Sequence, residues 1–271
     1  SGERTSKLRT AFLELGPSLI VLDNHENDAA CAELMNAFAD TDVCFVITAR
    51  RLLLSGVLVY PVTPPLVTAG LDAFPRVAGL TRLLRWSPLA LDIADGMVGS
   101  GATTAAELGD YLRNAGVERV SAIEHEDDLP EVKLLVDWLW PRLPSAAHRI
   151  LAVLAHLQGD SAARDSLRVL AKGGRSFDAE LEALIRLRLV QEPVHQRYAL
   201  HAVVRYALQR RTQFSADAWF EYYVSLLERN PDRLAQEQTH WFAAMDHAYV
   251  ASDFERMLRV EALSRKLEGR E

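Results

Sequence analysis

Apolar positions in the first 60 residues switch between two periods. Leu8, Ala11, Phe12 and Leu15 fall at i, i+3, i+4 and i+7, which predicts a helix over 7–15 burying one face, and Gly16-Pro17 ends it. Ser18 to Leu22 is then almost continuously apolar and closes in Asp23-Asn24-His25-Glu26. That run is too short for a helix and suits a strand covered on both faces which delivers a carboxylate at its end. Asp28 to Asp40 returns to helical spacing through Cys31, Leu34, Met35 and Phe38. Val43 to Thr48 is a second apolar strand, ending in Thr48-Ala49-Arg50-Arg51, and Val57 to Val62 predicts a third. Strand, helix, strand is the unit that makes parallel neighbours. Ligands of such sheets lie off the carboxyl ends of the strands, so Asp23, Thr48 and Arg50 are expected at one crevice. A carboxylate there suits the water shell of a Mg²⁺ ion, and a hydroxyl with a guanidinium suits a phosphate.

After Leu66 the pattern is helical. Leu80, Leu83 and Leu84 lead into Trp86-Ser87-Pro88, where Pro88 fits a first helical turn followed by Leu89, Leu91, Ile93 and Met97. Thr104-Ala105-Ala106-Glu107 has capping-box spacing. The stretch Gly96 to Thr103 echoes a phosphate loop, but Ala102 stands at the lysine position and a helix precedes it, so a helix-helix connection is the better reading. An acidic break over 121–130 predicts a domain boundary. Beyond it come helices around Leu134 to Leu139, from Pro144 through Leu157, around Leu167 and Leu170, and through Leu181 to Leu187. A hairpin of Leu189-Val190-Gln191-Glu192 with Arg197-Tyr198-Ala199-Leu200 follows, then helix from His201. Helices closed by a hairpin describe a winged helix. From Ala216 the chain is helical, with Trp219, Tyr222, Tyr223, Leu226 and Leu227 on one face.

Composition narrows the classes. Of 271 residues 49% are hydrophobic, enough for one large core or several small ones. A charge of −7 argues against wholesale nucleic-acid binding. No run of eighteen apolar residues and no basic-then-apolar leader occurs, which predicts a cytoplasmic protein without membrane contact. The two cysteines, Cys31 and Cys44, are expected to be free and buried.

Three separated signatures share one resemblance. Leu19-Ile20-Val21-Leu22-Asp23-Asn24 with Phe45-Val46-Ile47-Thr48-Ala49-Arg50 resembles the Walker B and sensor motifs of bacterial NB-ARC proteins, the signal-transducing STAND ATPases. Pro88-Leu89-Ala90-Leu91 is similar to that family's G-L-P-L-A-L element, and Tyr198-Ala199-Leu200-His201 to the end of its winged helix. The resemblance implies a nucleotide-dependent switch of class α/β followed by mostly α. Its parts would be the C-terminal part of a nucleotide-binding domain at 1–66, a helical subdomain at 67–128, a winged helix at 129–213 and the possible start of a repeat array at 214–271. It implies that Asp23 holds Mg²⁺, that Thr48 and Arg50 sense the terminal phosphate of ATP, that Pro88 packs near adenine and that His201 reaches the β-phosphate of ADP. Implied partners are other domains of a parent protein, an effector or sensor on the C-terminal helices, and further copies on activation. No G-x-x-x-x-G-K-[ST] loop occurs in the sequence, which predicts negligible ATP hydrolysis by this chain alone and no nucleotide held by it. Two other classes compete: a winged-helix DNA reader, supported by eight Lys and Arg against four acids over 172–211, and a protein-interaction scaffold.

Overall fold

Gly16 takes φ +76, a left-handed conformation that glycine adopts without strain, and it ends the first helix where the apolar spacing stops. The structure is a computed structural model describing residues 2–22, 28–48, 57–59, 73–115, 129–157, 161–191 and 196–267. These divide into two compact units, Ser1–Thr63 and Pro64–Glu271.

In the first unit α1 (Gly2–Leu15), β1 (Ser18–Leu22), α2 (Asp28–Ala37) and β2 (Val43–Ile47) follow the expected order. The strands pair in parallel from Ser18 opposite Val43 to Leu22 opposite Ile47. Phe38 anchors the packing at 2% exposure, with ring centroids 5.7 Å from Phe12 of α1 and 6.0 Å from Phe45 of β2, both edge-on. Those rings cover one face of the sheet. The expectation of cover on both faces is corrected: Leu19, Val21 and Val46 are 60%, 59% and 48% exposed. A continuous apolar run reports which residues suit burial, whereas cover depends on how many elements pack against each side, and in this unit the helices supply one. Cys31 is buried and Cys44 exposed, both free, so the expected burial holds for one of them. Of the third predicted strand, 57–59 are described and belong to neither strand nor helix. The rest of it lies outside the described residues, as do 66–72 and the acidic break at 121–128.

In the second unit a 3-10 turn, Pro75–Leu80, leads to α3 (Pro88–Gly99) and α4 (Ala105–Ala115). Ser87 caps α3, its Oγ accepting from the Ala90 N–H at 3.3 Å, and Pro88 occupies the first turn, where a missing N–H costs nothing. The capping box forms reciprocally: Thr104 Oγ1 accepts from the Glu107 N–H at 3.2 Å, and the Glu107 carboxylate accepts from the Thr104 N–H at 3.0 Å. The glycine-rich stretch is no phosphate cradle, since α3 runs through Gly96 to Gly99.

Then come α5 (Pro130–Leu139), α6 (Ser145–His156), β3 (Ala162–Ala163), α7 (Arg164–Leu170), α8 (Phe177–Arg186), β4 (Val190–Gln191), β5 (Arg197–Leu200) and α9 (Ala202–Gln209). The expected hairpin is β4 with β5, and β3 adds a third antiparallel strand in the order β3-β5-β4. Two alanines carry no alternation, so nothing in the sequence marks β3. Last are α10 (Ala216–Arg229), α11 (Leu234–Val250) and α12 (Phe254–Leu267). One hydrophobic core runs from Val77 to Leu263, with Leu84, Met97, Leu135, Leu154, Phe177, Trp219 and Tyr223 among its fully buried members. The architecture is an α/β segment followed by a mostly helical one, and no helix among the described residues is long and apolar enough to cross a membrane.

Candidate functional site

The carboxyl ends of β1 and β2 stand side by side. Leu22 is the register partner of Ile47, and the Thr48 N–H donates to the Leu22 carbonyl at 2.9 Å, leaving Thr48 exposed at the strand end. Asp23 follows Leu22 in sequence, but Asp23 and Arg50 lie outside the described residues. Among the described residues no group of three His, Cys, Asp or Glu side chains is gathered as a metal would need.

Pro88 and His201 each begin a helix of the second unit. Pro88 is exposed in the first turn of α3. His201 sits between β5 and α9 as the cap of α9, its Nδ1 accepting from the Val203 N–H at 3.3 Å. The ring is partly desolvated, which pushes its pKa below the ordinary 6.5. Because Nδ1 accepts, the neutral ring carries its proton on Nε2, a donor directed away from the cap. No hydrogen bond joins Pro88 to His201.

The most elaborate polar arrangement was not anticipated from the residue pattern. Glu237 is fully buried within α11, where φ −111 interrupts the helical geometry. Arg197 of β5 donates to both of its oxygens, at 3.3 and 3.1 Å, and also to the Ser161 Oγ and carbonyl, each at 3.0 Å. His240, 1% exposed, donates from Nε2 to the same Ser161 carbonyl at 2.8 Å and stacks on Tyr223 with centroids 3.9 Å apart. Beside it the Tyr222 hydroxyl donates to Ser166 Oγ at 3.0 Å, and burial drives the Tyr223 phenol well above its ordinary range. One cue was present in the sequence. Glu237 lies three residues after Leu234 and four before Trp241, on the apolar stripe of α11, and a carboxylate at such a position needs a buried partner.

Above this network opens a cleft of about 670 Å³ lined by Arg164, Asp165, Gln196, Arg197, Arg233 and Gln236 together with two alanines. Arg164 also reaches Asp178 at 2.7 Å, a carboxylate that Arg168 pairs as well. Arg233 lies 4.0 Å from Glu237.

No protein-family model matches the chain, and no curated protein matches it.

Proposed function

We propose that this chain is part of a nucleotide-dependent switch of the STAND, or NB-ARC, kind, in which ADP and ATP bias closed against open arrangements of its domains. The observation that carries the reading is the parallel β1–β2 pair. Its register sets Leu22 beside Ile47, so both strands finish at the same end of the sheet, and the carboxyl ends of strands are where α/β folds bind ligands. Asp23 there would hold the water shell of Mg²⁺, and Thr48 with Arg50 would meet the terminal phosphate. The open apolar face of Leu19, Val21 and Val46 supports it too, since parallel sheets are normally covered on both sides by further elements of their domain.

In the second unit, α6, β3, α7 and α8 followed by the β4–β5 hairpin, which joins β3 in one sheet, fit the winged helix of that reading. His201 follows the last strand, and its Nε2–H is chemically suited to a β-phosphate oxygen. Pro88 would pack near adenine at the start of α3. A contact from the wing to a phosphate differs between nucleotide states, and that differential binding is what moves the domains. The helices α10 to α12 would present the partner surface, which Phe242, Tyr249 and Phe254 support by standing 52%, 56% and 70% exposed.

The DNA-reading alternative loses support at α8, the helix that would enter the groove. It opens with two acids, Asp178 and Glu180, at the end that would have to meet phosphate.

The test is an ADP titration of the parent protein carrying a glycine-lysine loop ahead of Ser1. The expected result is Mg²⁺-dependent binding weakened about tenfold or more by His201→Ala, a loss of about 1.4 kcal/mol or more. A parent protein that binds no ADP would overturn the reading and leave the scaffold class ahead.

A further inference from the structure

We propose that the cleft between β5 and the start of α11 is a binding site for a phosphorylated, hydroxyl-rich small molecule of the sugar-phosphate class. It is separate from the nucleotide reading and uses none of its residues.

The first argument is charge. Two carboxylates next to the cleft are each held by two arginines: Asp178 by Arg164 and Arg168, Glu237 by Arg197 and Arg233. In each pair one arginine suffices. Arg168 keeps Asp178 satisfied if Arg164 turns away, and Arg197 holds both oxygens of Glu237 while Arg233 stays at 4.0 Å. With Arg197 and the carboxylate of Asp165, the cleft is lined by Arg164 and Arg233. Recruiting them to a ligand therefore orphans no buried or paired acid. A guanidinium offers paired N–H donors that match two oxygens of a phosphate.

The second argument is what surrounds that positive pole. Asp165, Gln196 and Gln236 supply acceptors and amide donors of the kind that take ligand hydroxyls. Among the described lining residues there is no aromatic ring, so a nucleobase would find no platform, while Ala163 and Ala235 leave room. The volume, about 670 Å³, lies inside the range of small-molecule sites.

The third is rigidity. Arg197 is fixed by four hydrogen bonds to Ser161 and Glu237, and Gln196 beside it holds φ +58, a conformation that a residue with a side chain rarely adopts. The walls come from 163–165, 196–197 and 233–236, so occupancy would clamp the hairpin strand β5 to α11.

The experiment titrates the chain with glucose 6-phosphate, inorganic phosphate, glucose and a short DNA duplex, read by calorimetry. Expected is saturable binding of glucose 6-phosphate with Kd below about 1 mM, none for glucose, and loss of about tenfold or more in Arg233→Ala and Arg164→Ala. Arg175→Ala, outside the cleft, should bind as the unaltered chain does, and circular dichroism checks that every variant is folded. Inorganic phosphate binding more weakly than the sugar phosphate supports the hydroxyl contacts; binding as tightly would overturn the sugar-phosphate assignment, because Asp165, Gln196 and Gln236 would then contribute nothing. The proposal is overturned by no saturation up to about 10 mM, by equal binding in both cleft variants, or by equal binding of glucose. It is equally overturned if duplex DNA alone binds through Arg233 at about 150 mM salt, which would make the cleft a nucleic-acid contact.

Discussion

Arg197 of β5 and Glu237 of α11, separated by 40 residues in sequence, meet as a two-point ion pair whose carboxylate is fully buried and whose guanidinium is 20% exposed. A buried charge that loses its partner is left without either water or a counter-ion. Replacing either residue by alanine is therefore expected to cost about 3–5 kcal/mol in urea unfolding, while the double change Arg197→Met with Glu237→Leu recovers much of the loss. A Glu237→Ala chain within about 0.5 kcal/mol of the unaltered one would show that the pair does not hold the hairpin to α11.

Gly96 makes a second junction. A β-carbon built there would stand 2.7 Å from the Arg186 carbonyl oxygen and 2.8 Å from Arg188 Cγ, so α3 and the end of α8 approach as closely as they do because no side chain intervenes. The carbonyl belongs to the backbone and yields little. Gly96→Ala should destabilise by about 1–3 kcal/mol through overpacking, despite the better helix propensity of alanine. An unchanged or raised thermal midpoint would contradict the close approach.

Acid should weaken the tie between α10 and α12. Arg259 donates to Glu228 at 2.7 and 2.9 Å, which holds the Glu228 carboxyl below its ordinary 4.5. The folded state thus favours the ionised form. Its contribution is full above about pH 4.5 and is lost as pH falls through the lower folded value. The stability gap between the unaltered chain and Glu228→Gln is expected to be larger at pH 7 than at pH 3, and equal gaps at the two would sink the assignment.

What the residue pattern makes legible, and what it hides, follows from the range of the forces involved. The caps at Ser87 and Thr104 are local, three residues across, and are readable directly. So is the parallel β1–β2 unit, because period and spacing encode it. The one-sided cover of that sheet is not, since Leu19 and Val21 look the same whether or not a second layer packs on them. β3 escapes notice because a strand of two alanines is defined wholly by its partner β5. The Arg197–Glu237 pair and the cleft beside it join β5, Ser161 and α11, far apart in sequence, and only the lone carboxylate on the apolar stripe of α11 hints at them. Of the five anticipated site residues, Thr48, Pro88 and His201 fall on described strand and helix ends, while Asp23 and Arg50 lie outside the described residues.

His201 allows its two duties to be separated. As a cap it needs an acceptor at the start of α9, which Nδ1 provides to the Val203 N–H. His201→Asn keeps an acceptor of suitable length, so it should retain stability, whereas His201→Ala should cost about 1 kcal/mol. Partial desolvation lowers the imidazole pKa from 6.5, so folding favours the neutral ring; its contribution is full above pH 6.5 and fades as pH falls through the lower folded value. An NMR titration of the ring should place its midpoint below 6.5, and a midpoint above it would contradict both the burial and the cap. As a phosphate contact in the parent protein, His201 needs instead the Nε2–H, which asparagine does not reproduce at that reach. His201→Asn should then leave the unfolding midpoint in place while weakening ADP binding about tenfold. If the same variant binds ADP as tightly as the unaltered parent, the imidazole serves the helix alone.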